Sequence, residues 1–339
     1  MKALRMTRYG DIESSLEFQS ANMPSPKVDE ILVRVYAASV NPVDNMVLRG
    51  DLKAMRKESF PAGVGRDVSG EVVAVGKGVT HFREGDQVFA RVGEEHVGTV
   101  AEFIAVHASH VAPKPQNLSH QEAAGIPLVG LTSYQSLVQV AGLKQGDKVL
   151  IHAGSGGIGS MAIQLAKSFG AYVVTTTSTA NVGWVKALGA DLVIDYKKQN
   201  YQDLLSDMDV VFDTLGGHYT LDAFKVIKTG GRVVSISGDL DPQTTEELGL
   251  GWLIRKLLAL KSRKLMKAAE AKSALYRMVI MKANGKQLQE LGNLYQDKII
   301  TPVIDKTYAF EQSKEALSYL AAGRAKGKVI ISMEEPATA

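Results

Sequence analysis

Cysteine is absent from this 339-residue chain. Its absence excludes disulfides, a thiolate nucleophile and any zinc site with cysteine ligands. Long apolar runs are missing too, since no segment approaches the roughly eighteen continuous apolar residues that a membrane span needs. The first ten residues, MKALRMTRYG, lack the apolar core of a signal peptide. We therefore expect a cytoplasmic protein.

A strong excess of charge is also lacking. The formal net charge is +3, which is too small to indicate a nucleic-acid partner, and we expect none. With 45% hydrophobic residues, the chain is long enough to form two domains with cores of their own.

A glycine-rich loop is the most informative feature that is present. The short apolar strand 148–151, KVLI, runs into the sequence GSGGIG, after which a helix is predicted to open at Ser160 and end at Gly170. This order is typical of a dinucleotide diphosphate site. The first glycine permits a tight turn, the second a close approach to the diphosphate, and the third close packing of the helix. The loop residues predicted to contact the cofactor are Gly154, Ser155, Gly156, Gly157, Ile158 and Gly159.

The next strand indicates which dinucleotide is bound. An NAD site usually has an acidic residue about 20 positions beyond the first glycine, where it binds the ribose hydroxyl. Residues 171–190 contain no acidic residue. The strand 172–177 ends instead in groups that can donate to a 2'-phosphate, so we predict NADPH as the cofactor. These groups are Thr177, Ser178, Thr179 and Asn181.

Two patterns divide the chain. Up to about residue 123 it has short strands, such as 31–36, 70–75 and 87–91, separated by Pro, Gly and Asp turns. From residue 121 helices and strands alternate, beginning with a helix at 130–141, which indicates a doubly wound parallel sheet. The last forty residues return to strand, helix and strand. We predict an α/β protein with a β-rich domain, 1–123 and 300–339, and a dinucleotide domain, 124–299. The end of the chain, 334–339, is expected to be disordered.

Six motifs together resemble one known family over nearly the whole chain. They are NPVDNMVLRG from Asn41, GVGRDVSGEVVAVG from Gly63, GDQVFA from Gly85, LVGLTSYQSL from Leu128, AGSGGIG from Ala153 and GRAKGKVII from Gly323. In this order and spacing they resemble zinc-independent quinone oxidoreductases of the medium-chain dehydrogenase/reductase superfamily. The resemblance implies a GroES-like catalytic domain, a Rossmann NADP-binding domain and a homodimer.

The same resemblance indicates that the catalytic metal of other superfamily members is missing. The positions that carry zinc ligands in those members are occupied here by Asn41, Arg66 and Leu128, which are not a zinc ligand set. The pair His107 and His110 has no third ligand nearby in sequence and reads as solvated loop histidines. His152 is expected to pack beneath the glycine loop. We therefore predict no zinc.

A site without zinc suits particular acceptors. Hydride addition to an isolated ketone builds a localised alkoxide, which a Lewis acid would stabilise. A quinone or an α,β-unsaturated carbonyl spreads the charge through conjugation, so hydrogen-bond donors can hold it. We therefore predict NADPH-dependent hydride transfer to a small, apolar, conjugated carbonyl or quinone, with the proton coming from solvent or a hydroxyl.

Two residues are the candidates for catalysis. The Asn41 amide can donate to the acceptor oxygen or to the cofactor, or it can simply hold its own turn beside Pro42. By resemblance, Thr132 contacts the nicotinamide, and its alternative role is a helix N-cap. Arg66 can orient the substrate, although a pairing with Asp67 or Asp44 is favoured.

The resemblance also implies further contacts to the cofactor, each of which can equally be an ordinary turn or strand residue. These positions are Tyr196, Leu215, Gly216, Ser235, Ile236, Ser237 and Lys328. In one place the chain departs from the family. Many relatives carry tyrosines after the NPVD motif, whereas this chain has Met46 and Leu52. The choice between a quinone and an alkenal or enone therefore stays open.

Residues 247–272 form a basic amphipathic segment, which is a feature separate from the glycine loop. Leucines recur at helical spacing with Lys and Arg between them, most densely over 250–267. The first hypothesis is a lid or a subunit-contact helix, and the second is a helix that lies on a membrane surface. Residues 276–281 then read as the edge strand through which family dimers extend their sheets.

Other functions remain open at this point. A related enzyme is one class, either an enoyl-thioester reductase, for which no acyl-carrier groove is identified, or a zinc-free alcohol dehydrogenase. A non-catalytic NADPH-binding protein, acting as a redox sensor or as an RNA-binding protein through the basic segment, is another. NADPH binding without turnover would favour the latter class.

Overall fold

A computed structural model describes residues 1–53 and 56–333. Its strands follow one another along the whole chain. In chain order they are β1 (Lys2–Met6), β2 (Leu16–Ser20), β3 (Glu30–Val40), β4 (Ala62–Gly63), β5 (Asp67–Val75), β6 (Gln87–Arg91), β7 (Phe103–His107), β8 (Val111–Pro113), β9 (Lys148–Ile151), β10 (Tyr172–Thr177), β11 (Leu192–Asp195), β12 (Met208–Asp213), β13 (Ile227–Ser235), β14 (Leu275–Met278), β15 (Ile304–Ala309) and β16 (Lys328–Ser332).

The α-helices are more frequent in the second half of the chain. They are α1 (Ile12–Ser15), α2 (Pro42–Arg49), α3 (His120–Ala124), α4 (Pro127–Tyr134), α5 (Gly157–Ser168), α6 (Val182–Ala187), α7 (Tyr201–Leu204), α8 (His218–Val226), α9 (Pro242–Glu247), α10 (Trp252–Ala271), α11 (Gly285–Gln296) and α12 (Ser313–Ala321). A π-helical segment, Gln135–Val140, continues α4. Short 3₁₀ turns lie at Glu94–His96, Ala108–His110, Thr179–Asn181 and Phe310–Gln312.

Contacts divide the chain into two units. The first comprises Met1–Leu131 and Lys282–Ala339, and the second comprises Thr132–Met281. The sequence placed the two junctions at 123/124 and 299/300. Helix α11 accounts for the second difference, because a Cβ on Gly285 would lie 2.3 Å from the Val111 carbonyl oxygen in β8. The Asn117 side chain also donates to the Tyr295 carbonyl at 2.9 Å. Residues 282–299 therefore pack with the first unit.

The second unit is built on a six-stranded sheet in which every pairing is parallel. Its strand order is β11-β10-β9-β12-β13-β14. With β9 counted as the first strand, this is the 3-2-1-4-5-6 order of a Rossmann fold, which reverses direction between β9 and β12. The predicted doubly wound sheet is thus confirmed. The carboxyl ends of its strands meet at one edge, where such folds bind their ligands.

Helices cover both faces of this sheet. Along β9, Val149 and Ile151 face one core together with residues of α5. Leu150, between them, faces the other core with residues of α8 and α10. This alternation explains why β9 is apolar at three consecutive positions, as is typical of a parallel strand buried on both faces.

The first unit is rich in strands, as predicted. A small sheet has the order β2-β1-β4, and a larger one has the order β15-β16-β3-β5-β6-β8, with β7 also paired to β3. Strand β3 is the longest element of that sheet, and it pairs with β5, β7 and β16. The core of the unit gathers apolar residues from β1, β3, β5 and β6 and from the distant α12 and β16.

One predicted element differs clearly from the structure. The helix expected at 130–141 begins earlier, at Pro127, and changes to a π-helix at Gln135. Thr132 consequently lies inside α4, so its predicted position at a helix start is wrong. Proline is favoured at the first turn of a helix because its missing N–H is not needed there.

The basic segment 247–272 starts at the last residue of α9, continues through a short connection and forms the 20-residue α10. Across the described part of the chain, no helix has the length and the apolar composition that crossing a membrane requires. The predicted disorder at 334–339 falls outside the described residues.

Candidate functional site

The glycine loop lies between β9 and α5, and two of its glycines are required by the packing around them. A Cβ on Gly154 would lie 2.3 Å from the Thr175 hydroxyl, which itself donates to the Ile151 carbonyl beneath the loop. A Cβ on Gly159 would lie 2.2 Å from the Ala153 carbonyl oxygen. The predicted role of Gly159, close packing of the helix, is therefore confirmed.

The tight turn of the loop differs from the prediction. The residue with left-handed backbone is Ala153, with φ of 53°, rather than Gly154. Helix α5 also begins at Gly157 instead of Ser160, with Gly156 as its N-cap. The amide groups of 157–159 are thus first-turn donors without partners inside the helix, which is the arrangement that binds anions.

Gly156 is the glycine with an open side. Its Cβ would meet a single neighbour, the Ala153 carbonyl oxygen, at 3.4 Å, which is ordinary van der Waals contact. The fold of the unit therefore does not demand glycine at this position. Room for an incoming phosphate beside the backbone does explain it.

The end of β10 carries the predicted hydroxyl groups, and a carboxylate lies next to them. Thr179 donates to Asp195 in β11 at 2.6 Å, so its hydroxyl is engaged within the unit. The Tyr196 amide donates to the Thr177 carbonyl at 3.1 Å, which places these two residues side by side. The search for an acid in residues 171–190 did not include Asp195, because this residue belongs to the neighbouring strand.

The turn after β10 is held by side-chain hydrogen bonds among its own residues. The Asn181 amide donates to the Ser178 hydroxyl at 3.1 Å, and the Trp184 indole donates to Asn181 at 3.1 Å. Two exposed lysines, Lys197 and Lys198, follow β11 at the same edge of the sheet. The end of β10 is therefore surrounded by hydroxyl, amide and ammonium groups together with the Asp195 carboxylate, from which the Lys198 ammonium lies 3.7 Å away.

Asp213, at the end of β12, fixes the loops on the other side of the glycine loop. One of its oxygens accepts from the amides of Leu215 and Gly216 at 3.0 and 3.1 Å and lies 3.2 Å from Nδ1 of His152. The other accepts from the hydroxyls of Thr220 and Ser235 at 2.6 and 2.8 Å. Burial alone would raise the Asp213 pKa, but these donors hold it well below its usual range.

Removing this charge is expected to loosen both loops. For Asp213→Asn we expect the free energy of unfolding to fall by about 3 kcal/mol, because hydrogen bonds to a buried charged group are lost. Asp203→Asn, at an exposed position in α7, is the matched control. Urea unfolding measures both. The Asp213 pKa is lower in the folded state, so its contribution is present above the unfolded value near pH 4 and is lost as the pH falls. The free energies of unfolding of the unaltered chain and of Asp213→Asn should therefore become similar in acid.

The loops after β12 and β13 touch each other. A Cβ on Gly216, which has a φ of 73°, would lie 2.2 Å from the Ser237 carbonyl oxygen, and the Ser237 hydroxyl donates to the Thr214 carbonyl at 3.2 Å. Leu215 and Tyr196 are exposed. Apart from Asn41, Thr132 and Lys328, the predicted cofactor residues therefore lie at or just beyond strand ends at one edge of the parallel sheet.

Asn41 and Lys328 belong to the first unit, where they meet at a buried carboxylate. The Asp67 oxygens accept from the Leu128 amide at 2.9 Å, from the Ser39 hydroxyl at 2.9 Å and from the Asn41 side chain at 2.9 Å. The Lys328 ammonium lies 3.4 Å from Asp67 and donates to the side-chain oxygen Oδ1 of Asn41. Burial lowers the Lys328 pKa, against the opposing attraction of Asp67 and Asp44.

These two charges orient the Asn41 amide. Its oxygen faces the ammonium and its NH₂ faces the carboxylate, whereas the flipped amide would oppose both charges. Asn41 is also the N-cap of α2, and its backbone amide donates to Asp44 at 2.8 Å. The side chain therefore does more than hold its own turn, because it joins Asp67 to Lys328.

Arg66 is buried and paired, as the favoured interpretation predicted. It contacts Asp44, which is buried as well, and lies 3.4 Å from Glu94. Burial raises the Asp44 pKa in spite of the guanidinium. Burial would also raise the pKa of Glu94, but the guanidinium groups of Arg66 and Arg91 lower it to about 2. This cluster is a structural ion network.

Family profiles match most of the chain. The profile described as the alcohol dehydrogenase GroES-like domain matches residues 27–116. The profile described as zinc-binding dehydrogenase matches residues 188–331. The first lies within the strand-rich unit, and it confirms the predicted GroES-like fold.

Individual relatives are similar over nearly the full chain. A 2-methylene-furan-3-one reductase of Solanum lycopersicum is 37% identical and an NADPH-dependent alkenal/one oxidoreductase, chloroplastic, of Arabidopsis thaliana is 35% identical; both alignments cover 98% of this chain and 79% of the relative. The solved quinone oxidoreductase of Coxiella burnetii is 30% identical with a TM-score of 0.85, covering 98% of this chain and 99% of its own. The chain belongs to the medium-chain dehydrogenase/reductase superfamily, in its quinone oxidoreductase-like branch.

Many members of the superfamily hold zinc, so the fit of this chain to zinc can be tested. The three ligand positions carry an amide engaged by Asp67 and Lys328, a guanidinium paired with Asp44, and the apolar Leu128. Two buried cations, Arg66 and Lys328, oppose a further positive charge. Within the ranges 1–53 and 56–333, no three His, Cys, Asp or Glu residues are grouped as a metal site. These residues do not fit zinc.

The three histidines considered in the sequence make structural contacts. The rings of His107 and His110 are 5.3 Å apart at a 3₁₀ turn, and His107 accepts from the Ser109 amide. His152 is fully buried beside the glycine loop, as predicted, and its carbonyl accepts from Thr214 at 3.0 Å.

Two residues that organise the site were missed from the sequence. Asp67 and Asp213 each occupy the end of a buried strand and accept hydrogen bonds from several elements. An acid at the first or last position of a strand whose other residues are mostly apolar is the signal that could have found both of them. Thr132, the second predicted catalytic residue, is buried in the second unit.

Proposed function

We propose that this chain is an NADPH-dependent, zinc-independent reductase that transfers a hydride to a quinone or to an α,β-unsaturated carbonyl. Superfamily membership makes it an oxidoreductase. The observation that carries the proposal is the glycine cradle at the N-terminus of α5, in which Gly154 and Gly159 are demanded by packing while Gly156 leaves an open side.

Binding of the dinucleotide falls to the strand ends of the second unit. The amides of 157–159 would hold the diphosphate, and the loops fixed by Asp213 would line the site. The preference for the phosphorylated cofactor is supported by Ser178, Asn181 and the exposed Lys197 and Lys198. It is also supported by the Arabidopsis relative, which is named as NADPH-dependent. When bound, NADPH supplies a hydride from its nicotinamide ring.

The identity of the acceptor follows from the charge that it develops. Without a metal, an acceptor that delocalises this charge is favoured, and hydrogen-bond donors suffice to hold it. Two relatives are named for enone or alkenal substrates. With Met46 and Leu52 in place of the tyrosines of many relatives, we infer that conjugated enones and alkenals are better acceptors than quinones.

Asn41 and Thr132 remain the proposed catalytic residues. The orientation imposed on Asn41 by Asp67 and Lys328 fixes which side of its amide donates, and a preorganised donor is what a developing oxyanion requires. Lys328 then acts on the reaction through Asn41. Thr132 is proposed to contact the nicotinamide side by resemblance.

We further propose a homodimer and a cytoplasmic location. Strand β14 lies at the end of the sheet order, as an edge strand that can pair with a second copy. Light scattering of the purified protein checks the dimer, and a monomeric mass would contradict it. One of the relatives above is named as chloroplastic, so fractionation is the direct test of location.

The first experiment measures NADPH oxidation by the purified protein with 2-alkenals, enones, quinones and simple ketones. We expect turnover of the conjugated acceptors, with ketones inert and with EDTA having no effect. NADH should be used less efficiently. Gly183→Ala, at an exposed position of α6 with nothing near its added methyl group, is a control that should retain activity.

Each contrary result has a distinct meaning. Reduction of simple ketones, with loss of activity in EDTA, would overturn the zinc-independent mechanism. Binding of NADPH without turnover of any acceptor would replace the reductase with a sensor or another binding protein. Turnover of enoyl thioesters above all other acceptors would identify the alternative reductase class.

A further inference from the structure

Helix α10 is held on the second unit by one face only. Ser262, Leu265 and Ala269 are buried at spacings of three and four residues, and Met266 packs beside them. These residues contact the core that includes Phe224 of α8. The helix is therefore a fixed part of the unit over its second half.

The opposite face of α10 presents apolar side chains to solvent. Leu253, Leu257 and Leu260 are 64%, 69% and 66% exposed, and their spacing of four and three residues places them in one stripe. Trp252, at the start of the helix, is 65% exposed. Large apolar side chains grouped in this way on a surface mark a binding face.

Basic side chains lie within the same stripe. Lys256 precedes Leu260 by one helical turn, Lys264 follows it by one turn, and Lys267 follows it by two. All three are exposed. Arg255 and Lys261, which lie off this stripe, pair with Glu246 and Asp239 of the same unit. The Lys256 ammonium lies 5.0 Å from the centroid of the Trp252 ring. The three lysines of the stripe therefore lie exposed beside the apolar side chains.

The charge decides which partner covers this face. The helix carries six basic residues and one acid, Glu270, so a second copy placed face to face would bring like charges together. An anionic surface complements them. We propose that α10 docks this protein on an anionic lipid surface, with the leucine stripe and Trp252 entering the interface and the lysines contacting lipid headgroups.

The test is sedimentation of the full chain with phosphatidylcholine vesicles that contain or lack phosphatidylserine. We expect binding that requires phosphatidylserine and weakens as salt is added. This readout does not depend on turnover, so it stands apart from the proposed reductase activity.

Matched variants separate the stripe from the rest of the surface. Leu253→Ser with Leu257→Ser is expected to weaken vesicle binding by about tenfold or more, as is the triple change of Lys256, Lys264 and Lys267 to Glu. The apolar control replaces exposed Leu192 and Leu204 with Ser. The charge control changes three exposed lysines elsewhere, Lys57, Lys144 and Lys286, to Glu. Both controls should bind as the unaltered chain does.

Three results would overturn the proposal. The first is that the chain does not sediment with vesicles that contain phosphatidylserine at low salt. The second is equal binding by the stripe variants and their controls, with thermal unfolding showing all of them folded. The third is a lower oligomer mass in the Leu253 and Leu257 variant by light scattering, which would show that a second copy covers the face. If an acidic protein, rather than lipid, is the partner of this face, the chain is expected not to sediment with the vesicles, which is the first of these results.

Discussion

Replacing Lys328 with methionine is expected to lower the free energy of unfolding by about 3–5 kcal/mol. The ammonium is buried between Asp67, the Asn41 side chain and the Val40 carbonyl. Methionine has a similar volume, so the main loss is the partner of a buried carboxylate. Urea unfolding gives the size of the effect, and Lys326→Met, at an exposed position two residues earlier, should change it little.

A double substitution separates the charge from the packing. If an unpaired carboxylate causes the loss, Asp67→Asn combined with Lys328→Met should recover part of it, since neither charge is then buried alone. Equal destabilisation by the single and double variants would show that the loss comes from packing instead. Reductase activity should fall in both, because the Asn41 amide loses the charges that orient it.

Gly159→Ala is expected to disrupt the glycine loop and weaken NADPH binding by about tenfold or more. The added methyl group would lie 2.2 Å from the Ala153 carbonyl oxygen, and backbone cannot move aside as a flexible side chain can. Thermal unfolding is expected to show a loss of about 1–3 kcal/mol, as for overpacking in a core. Fluorescence titration with NADPH measures the affinity.

Gly156→Ala is the matched comparison within the same loop. Its methyl group has room in the protein alone, so stability should change little while NADPH binding falls. Unaltered affinity in Gly156→Ala would contradict the placement of the diphosphate beside this residue. Unaltered stability in Gly159→Ala would contradict the packing argument.

The parallel sheet was largely predictable from the sequence. Strands β9, β10 and β11 have the bounds that the sequence pattern indicated, because a strand of a parallel sheet is apolar at successive positions and is followed by turn-forming residues. The glycine loop was equally visible, since its spacing is read locally. The strands and the glycine loop are both determined by residues that are close together in the sequence.

The buried charges could not be predicted in the same way. Asp67 and Lys328 are separated by 261 positions, and no local pattern indicates that β3, β5 and β16 place them together. Asp195 was missed for a related reason, as it reaches the end of β10 from the adjacent strand. Parallel and long-range pairing brings such groups together only in the folded sheet.

Local propensity also misplaced the turn of the glycine loop. Glycine adopts left-handed backbone most readily, so Gly154 was the natural choice for the turn, yet Ala153 adopts it. The Thr175 hydroxyl beneath the loop leaves no space for a side chain at Gly154, and tertiary packing therefore determines where glycine is required.

The pairing of β3 with β16 imposes an order on biosynthesis. Val40 faces Val329 across this pair, so the larger sheet of the first unit cannot be completed until almost the whole chain has left the ribosome. The second unit is continuous from Thr132 to Met281 and can fold earlier. Meanwhile the part of the β3 edge that pairs with β16, residues 37–40, stays open on the nascent chain. During translation this open edge is the place where aggregation or chaperone capture is favoured.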